Sequence, residues 1–214
     1  MAIYTLVFQY YLKSNSVENY PLFLFSGLLP WIWTVSALSE GTSSISSSGH
    51  LVTKSLFPAH VLILVPVLTS LIHFLLSLPI YFLALLYVKH SIPYSVMFLP
   101  ALMFLHAMFL YGLVLIFASI NVKLRDMQHL VANILSFLFF LSPIVYPPQV
   151  VPERFSFLLS WNPFALITQG YHSVLLDGGV SSSLFLTLVP LSFTTLLIGI
   201  AVYNSKRERF AEGL

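Results

Sequence analysis

The sequence predicts an all-α integral membrane protein: a polytopic helical bundle with five full spans, a truncated first span, and short re-entrant or interfacial helices on the outer side. Of its 214 residues, 58% are hydrophobic and only 7% are charged, whereas a soluble domain carries roughly a quarter charged residues. Lipid must therefore cover most of the surface. The chain has no cysteine, which excludes a disulfide framework and any cysteine-ligated metal site.

A bilayer core about 30 Å thick requires about 20 apolar residues per helix, and five stretches are predicted to cross it. In chain order they are residues 21–39, 59–88, 95–120, 129–146 and 183–203. The second is longer than a straight crossing requires, and Pro66 and Pro79 within it predict a kinked or tilted helix. Residues 1–12 are apolar but too short to cross alone, so we interpret them as the second half of a span whose first half is absent.

The positions of lysine and arginine predict the orientation, because basic residues are enriched in cytoplasmic loops. With the C-terminus in the cytoplasm, more basic residues lie inside than outside. The inner ones are Lys54, Lys123, Arg125, Lys206, Arg207 and Arg209, and the outer ones are Lys13, Lys89 and Arg154. The cytoplasmic segments are then residues 40–58, 121–128 and the tail 204–214.

The outer region, residues 147–182, contains two apolar pieces, 155–161 and 164–176, that are each too short to span. Apolar runs of this length predict interfacial or re-entrant helices. Asn162 and Pro163 between them predict a helix start, with Asn as the cap and Pro at the first helical position. The turn at residues 177–179 then separates this region from the last span.

Groups that could catalyse a reaction are scarce. The acidic residues lie in loops or at span ends, and the sequence contains no GxSxG, HExxH or phosphate-binding GxxxxGK[ST] pattern. We therefore expect no catalytic residue, metal site or cofactor in this chain, and energy from ATP would have to come from a partner. A net charge of +2 without a clustered basic face predicts no nucleic-acid partner.

Two histidines, His73 and His106, are predicted to lie well inside spans, where an ionisable residue is a functional candidate by default. The favoured interpretation is a neutral imidazole that hydrogen-bonds to a neighbouring helix. The other histidines fall near interfaces or in loops, and their spacing does not form a metal-ligand set.

Aromatic residues are abundant, with 19 Phe, 11 Tyr and 3 Trp. The ordinary interpretation is a membrane-interface belt, because Tyr and Trp collect there. A second interpretation is that some of these rings line a transport route and stack on the apolar faces of sugars. The residues predicted for that route are Trp31, Trp33, Tyr146, Trp161, Asn162, Pro163, His73 and His106.

Five short segments in a fixed order carry a family resemblance. They are Leu-Leu-Pro-Trp at 28–31, Leu-Val-Thr-Lys-Ser-Leu-Phe-Pro at 51–58, Asn-Val-Lys-Leu-Arg-Asp at 121–126, Ser-Pro-Ile-Val-Tyr at 142–146 and Trp-Asn-Pro-Phe at 161–164. Together with the hydropathy between them, these segments resemble the permeases of ABC type-2 exporters. Their spacing is similar to the polysaccharide branch, which exports O-antigen, capsule and teichoic acid.

The resemblance implies six spans per subunit, a homodimer in the bacterial inner membrane, two separate ABC ATPase subunits that bind ATP and Mg, and a lipid-linked glycan as substrate. It also implies that segments 40–58 and 121–128 dock on those ATPases. The implied coupling residues are Lys54, Phe57, Pro58, Asn121, Lys123, Arg125 and Asp126. The chain departs from the family by starting mid-span and by carrying Gly-His at 49–50.

Three alternatives to a polysaccharide exporter remain open at this point. The first is an ABC type-2 permease for a drug or another small amphiphile. The second is an intramembrane glycan-processing enzyme that uses His73 or His106. The third is a stand-alone channel, which would need no ATPase for its activity.

Overall fold

The structure is a computed structural model that describes residues 19–48, 59–179, 182–207 and 210. The regular elements in these residues are helices, which confirms the predicted all-α class for this part of the chain. The α-helices are α1 (Tyr20–Ser47), α2 (Ala59–Lys89), α3 (Leu99–Asn121), α4 (Met127–Leu141), α5 (Ser156–Trp161), α6 (Pro163–His172) and α7 (Ser182–Lys206). Short 3-10 turns occupy Tyr94–Phe98, Pro148–Val150 and Glu153–Phe155, and a π-helical turn occupies Ser173–Asp177.

Among the described residues, four helical segments are long and apolar enough to cross a membrane: α1, α2, Tyr94–Asn121 (α3 with the preceding 3-10 turn) and α7. They coincide with four of the predicted spans. One face of α2 exposes large apolar side chains at helical spacing, as expected of a surface that lipid covers: Ile72, Leu76, Ile80 and Leu83. The prediction for residues 1–12 lies outside the described residues.

The remaining predicted span, residues 129–146, is shorter than expected. Its helix, α4, has 15 residues and ends at Leu141, so the count of five full spans is not confirmed. Pro143 explains the early end, because a proline disfavours the helical conformation of the residue before it, here Ser142. The apolar run continues through Ile144 and Val145, but these side chains are buried in a turn instead of extending the helix.

The chain divides into two compact units. The described residues of the first unit fall within Met1–Ile32, Phe74–Leu102 and Phe137–Leu188, and those of the second fall within Trp33–His73, Met103–Ser136 and Val189–Leu214. The first unit has an aromatic core in which Tyr171 is fully buried and meets Phe74 edge to face, with ring centroids 5.6 Å apart. The short helices α5 and α6 belong to this unit.

In the second unit α1 and α3 run side by side in the same direction. Three contacts follow one another along both helices: Thr34 with His106, Gly41 with Val114, and Ser46 with Asn121. The first and last join residues 72 and 75 positions apart, and a nearly constant offset is what parallel helices produce.

Glycines bring α3 and α7 into backbone contact in the second unit. A Cβ added to Gly112 would lie 2.7 Å from the backbone nitrogen of Leu196. A Cβ added to Gly199 would collide with the Gly112 carbonyl oxygen. Small residues at such crossings let membrane helices approach closely, because packing replaces the hydrophobic effect as the driving force inside lipid.

Candidate functional site

The turn after α4, residues 142–146, is the structural centre of the first unit, and three separate parts of the chain bond to it. The Tyr20 hydroxyl donates to the Val145 carbonyl at 2.9 Å. His172 Nε2 lies 3.0 Å from the Pro143 carbonyl, and Asn162 Nδ2 donates to Oγ of Ser142 at 3.2 Å. The turn is therefore fixed by the start of α1, the α5–α6 junction and the end of α6.

Asn162 joins α5 and α6 and is largely buried. Its Oδ1 accepts a hydrogen bond of 3.0 Å from the backbone N–H of Phe164, which caps α6, and Pro163 occupies the first turn of that helix. Its Nδ2 also donates to the Leu141 carbonyl at 3.3 Å. The predicted helix start is confirmed, and one carboxamide both caps α6 and anchors it to the end of α4.

His172 is a residue that the sequence does not single out, because it falls among the histidines predicted to lie near interfaces or in loops. Its ring is buried and stacks on Phe23 with centroids 4.2 Å apart and planes 3° from parallel, and Nδ1 lies 2.7 Å from Oγ of Ser26. Burial lowers the pKa of His172 to about 4, so the imidazole is neutral near pH 7. Nε2 then carries the proton and donates to the Pro143 carbonyl, which leaves Nδ1 as an acceptor.

Gly27 makes room for this histidine. A Cβ at position 27 would lie 2.9 Å from Cε1 of His172, so a larger residue would push the ring off its partners. The sequence does hold a signal for the buried position, because Ala165, Thr168 and His172 recur at helical spacing along α6 and all three are buried.

The aromatic residues predicted for the transport route lie in different environments in the first unit. Trp31 is buried, and its ring centroid lies 5.9 Å from that of Phe139 and 6.0 Å from that of Phe164. The Tyr146 hydroxyl donates to the Phe140 carbonyl at 3.0 Å. Trp161, the last residue of α5, is 85% exposed.

The two intramembrane histidines differ in environment. His106 is buried, and its Nε2 lies 3.0 Å from the Thr34 hydroxyl. The centroid of its ring lies 4.3 Å from that of Trp33. The indole N–H of Trp33 donates to the Val67 carbonyl at 3.2 Å. The predicted hydrogen bond to a neighbouring helix is therefore present at His106. The side chain of His73 is exposed on α2.

The predicted coupling residues on the α3–α4 connection separate into one buried residue and three exposed ones. Asn121 ends α3 with its side chain buried, and Lys123, Arg125 and Asp126 are exposed in the turn that follows. The Asp126 carbonyl accepts from the backbone N–H groups of His129 and Leu130 and so begins α4. Lys54, Phe57 and Pro58 lie outside the described residues.

Residues 1–176 of this chain match the ABC-2 type transporter family. The chain belongs to this family. The O-antigen export system permease protein RfbA of Myxococcus xanthus is 33% identical over 217 residues, which cover 100% of this chain and 83% of the relative. A Klebsiella pneumoniae protein of the same name is 29% identical over 213 residues, covering 98% and 81%. The polysialic acid transport protein KpsM of Escherichia coli is 25% identical over 196 residues, covering 89% and 74%.

Membership in the ABC-2 type transporter family confirms the resemblance that the five segments carry, and with it the interpretation of the chain as a transport subunit instead of an enzyme. It also agrees with a multi-pass protein of the inner membrane and implies an ABC ATPase partner. Three of the five segments meet in the first unit: Trp31 of the first contacts Phe164 of the last, and Asn162 bonds to Ser142.

Proposed function

We propose that this ABC-2 family chain is the membrane-spanning subunit of an ATP-driven exporter of lipid-linked polysaccharide. The observation that carries the proposal is similarity over essentially the whole chain to permeases whose names specify O-antigen export, reinforced by a relative named for polysialic acid transport. Both names concern polysaccharides, which favours a glycan over a drug as the cargo.

The proposed orientation puts the C-terminus in the cytoplasm, as the basic residues predict. The parallel course of α1 and α3 supports one part of this arrangement, because parallel spans end on the same side of the membrane. Segments 40–58 and 121–128 then share the cytoplasmic side. The short α4 and the turn at 142–146 would together make the fourth of the five predicted crossings and lead to the outer region, residues 147–182.

Energy would come from a separate ABC ATPase that binds ATP and Mg, because neither is expected to bind to this chain. The proposed contacts of that ATPase are the two cytoplasmic segments. Lys123, Arg125 and Asp126 suit this role because their side chains are exposed in a short turn directly joined to two membrane helices. A force on this turn would act on α3 and α4 together.

Two copies of the chain would enclose the route for the glycan. Trp161 is proposed to contact sugar rings in that route, because its indole is exposed at the end of α5 and the apolar C–H face of a sugar can stack on it. Asn162 and Pro163 directly after it would fix the position of that ring by holding the α5–α6 junction.

The test is reconstitution of the chain with its co-purified ATPase in lipid vesicles, followed by measurement of ATP-dependent movement of a lipid-linked glycan. We expect stoichiometric co-purification and transport that stops when Arg125 and Asp126 are both replaced by Ala. Transport of small amphiphiles but no glycan would replace the proposal with the drug-permease alternative. A chain that purifies alone and without associated ATPase activity would contradict an ATP-driven mechanism.

A further inference from the structure

One hydrogen bond joins the C-terminal ends of α1 and α3. Nδ2 of Asn121, the last residue of α3, donates to Oγ of Ser46, one residue before the end of α1, at 3.0 Å. The Ser46 hydroxyl donates in turn to the Ser43 carbonyl at 3.0 Å, so its proton and a lone pair are both engaged. This is the last of the three contacts along the parallel pair.

The side chain of Asn121 is buried where it bonds to the end of α1. The residue is only 2% exposed, and its Oδ1 finds no hydrogen-bond donor in the part of the chain that the structure describes. A buried acceptor without a donor is costly, and an apolar side chain of similar volume would avoid that cost. An apolar side chain could not bond to Ser46, so the asparagine supplies a directional link between the two helix ends.

The two helix ends joined by this bond lead to the two segments that are proposed to contact the ATPase. The chain continues from α1 toward residues 49–58, and α3 continues into the exposed turn with Lys123 and Arg125. A hydrogen bond between two short side chains requires a narrow range of distance and angle, so it restrains the relative axial position of these two helix ends. We infer that Ser46 and Asn121 are positioning residues that make the C-terminal ends of α1 and α3, each of which lies within one of these segments, move as one body.

This inference rests on the proposed function, and its consequence is a change in the efficiency with which ATP drives transport. In vesicles that contain the chain with its ATPase, the ATP hydrolysed and the lipid-linked glycan moved are measured in the same sample. Asn121→Leu and Ser46→Ala are expected to retain ATP hydrolysis, while the glycan moved per ATP falls about fivefold or more. Ser119→Ala is the matched control, since it removes a buried hydroxyl of α3 that has no partner among the described residues.

The double variant, Ser46→Ala with Asn121→Leu, shows whether the two residues act through one hydrogen bond or independently of each other. If Ser46 and Asn121 act through one hydrogen bond, the double variant should be no worse than the more impaired single variant. Additive losses, or an unchanged ratio of glycan to ATP, would overturn the inference. A proportional loss of hydrolysis and transport would indicate a structural role only and would also overturn it. If the unsubstituted chain gives no ATP-dependent transport of glycan, the proposed function itself fails.

Discussion

Oγ of Ser26 lies 2.7 Å from Nδ1 of His172, although 146 positions separate the two residues in the chain. The same imidazole donates through Nε2 to the Pro143 carbonyl. One side chain thus connects α1, the end of α6 and the turn after α4. Because the turn at 142–146 and the α5–α6 junction belong to two of the family-resembling segments, His172 holds together the part of the first unit in which those segments meet.

Replacing Ser26 by Ala should destabilise the first unit. Nε2 must keep its proton for the Pro143 carbonyl, so Nδ1 would lose its hydroxyl partner. The single Ser26 proton also has the Phe23 carbonyl 2.8 Å away as an acceptor, so we expect the cost of a shared hydrogen bond, about 1 kcal/mol. The measurement is the free energy of unfolding in detergent micelles. Ser173→Ala is the control, because that hydroxyl donates to the Gly170 carbonyl one turn earlier at 2.9 Å. Equal stability of the two variants would show that the Ser26–His172 bond contributes little.

Two substitutions of Asn162 distinguish its hydrogen bond that caps α6 from its hydrogen bond to the end of α4. Asn162→Asp keeps an oxygen for the Phe164 N–H but loses the donor that faces the Leu141 carbonyl, whereas Asn162→Ala loses both. Loss of a cap costs about 1 kcal/mol, so we expect stability to fall from Asn to Asp to Ala. Unfolding in detergent, followed by circular dichroism, measures this order. If Asp were as stable as Asn, the bond to Leu141 would have no energetic role.

The contrast between Asn162 and His172 shows which parts of the first unit can be predicted from sequence. The cap at Asn162 is local, since its acceptor atom bonds two residues ahead and Pro163 marks the first turn. The partners of His172 lie 146 and 29 positions away, so only the fold brings them together. The remaining local signal, helical spacing with other buried residues of α6, indicates burial but not partners.

The ends of α4 and α1 also differ from the predicted ends of their spans, because single residues override the average hydropathy. Average hydropathy carries the predicted fourth span through to residue 146, but Pro143 interrupts the helix and α4 ends at Leu141. In α1 the difference is the opposite, because the predicted span ends at residue 39 but the helix continues through a Ser-rich stretch to Ser47. There the hydroxyls of Thr42 and Ser44 donate to carbonyls three or four residues earlier, which satisfies the polar groups inside the helix.

Replacing Gly112 by Ala should disrupt the crossing of α3 and α7. The new Cβ would lie 2.7 Å from backbone atoms of Thr195 and Leu196, and a helix backbone cannot rotate away as a side chain can. Overpacking of this kind costs about 1–3 kcal/mol, and thermal unfolding in detergent measures it. Gly179→Ala is the control, because a Cβ there meets nothing within 4 Å. A Gly112 variant as stable as the control would mean that the two helices can separate without penalty.

Replacing Trp161 by Ala tests whether the exposed indole contacts the transported glycan. Its 85% exposure predicts a change in stability of no more than about 0.5 kcal/mol. If the ring stacks on sugars, transport of glycan should nevertheless fall about tenfold, which corresponds to about 1.4 kcal/mol of lost interaction, and Trp161→Phe should restore part of it. The measurement is the initial rate of ATP-dependent transport in vesicles. Tyr94→Ala is the matched control, since that ring is 97% exposed but lies in the 3-10 turn before α3. An equal loss in both variants would assign Trp161 to the membrane interface, because interfacial anchoring by an aromatic ring does not depend on the cargo.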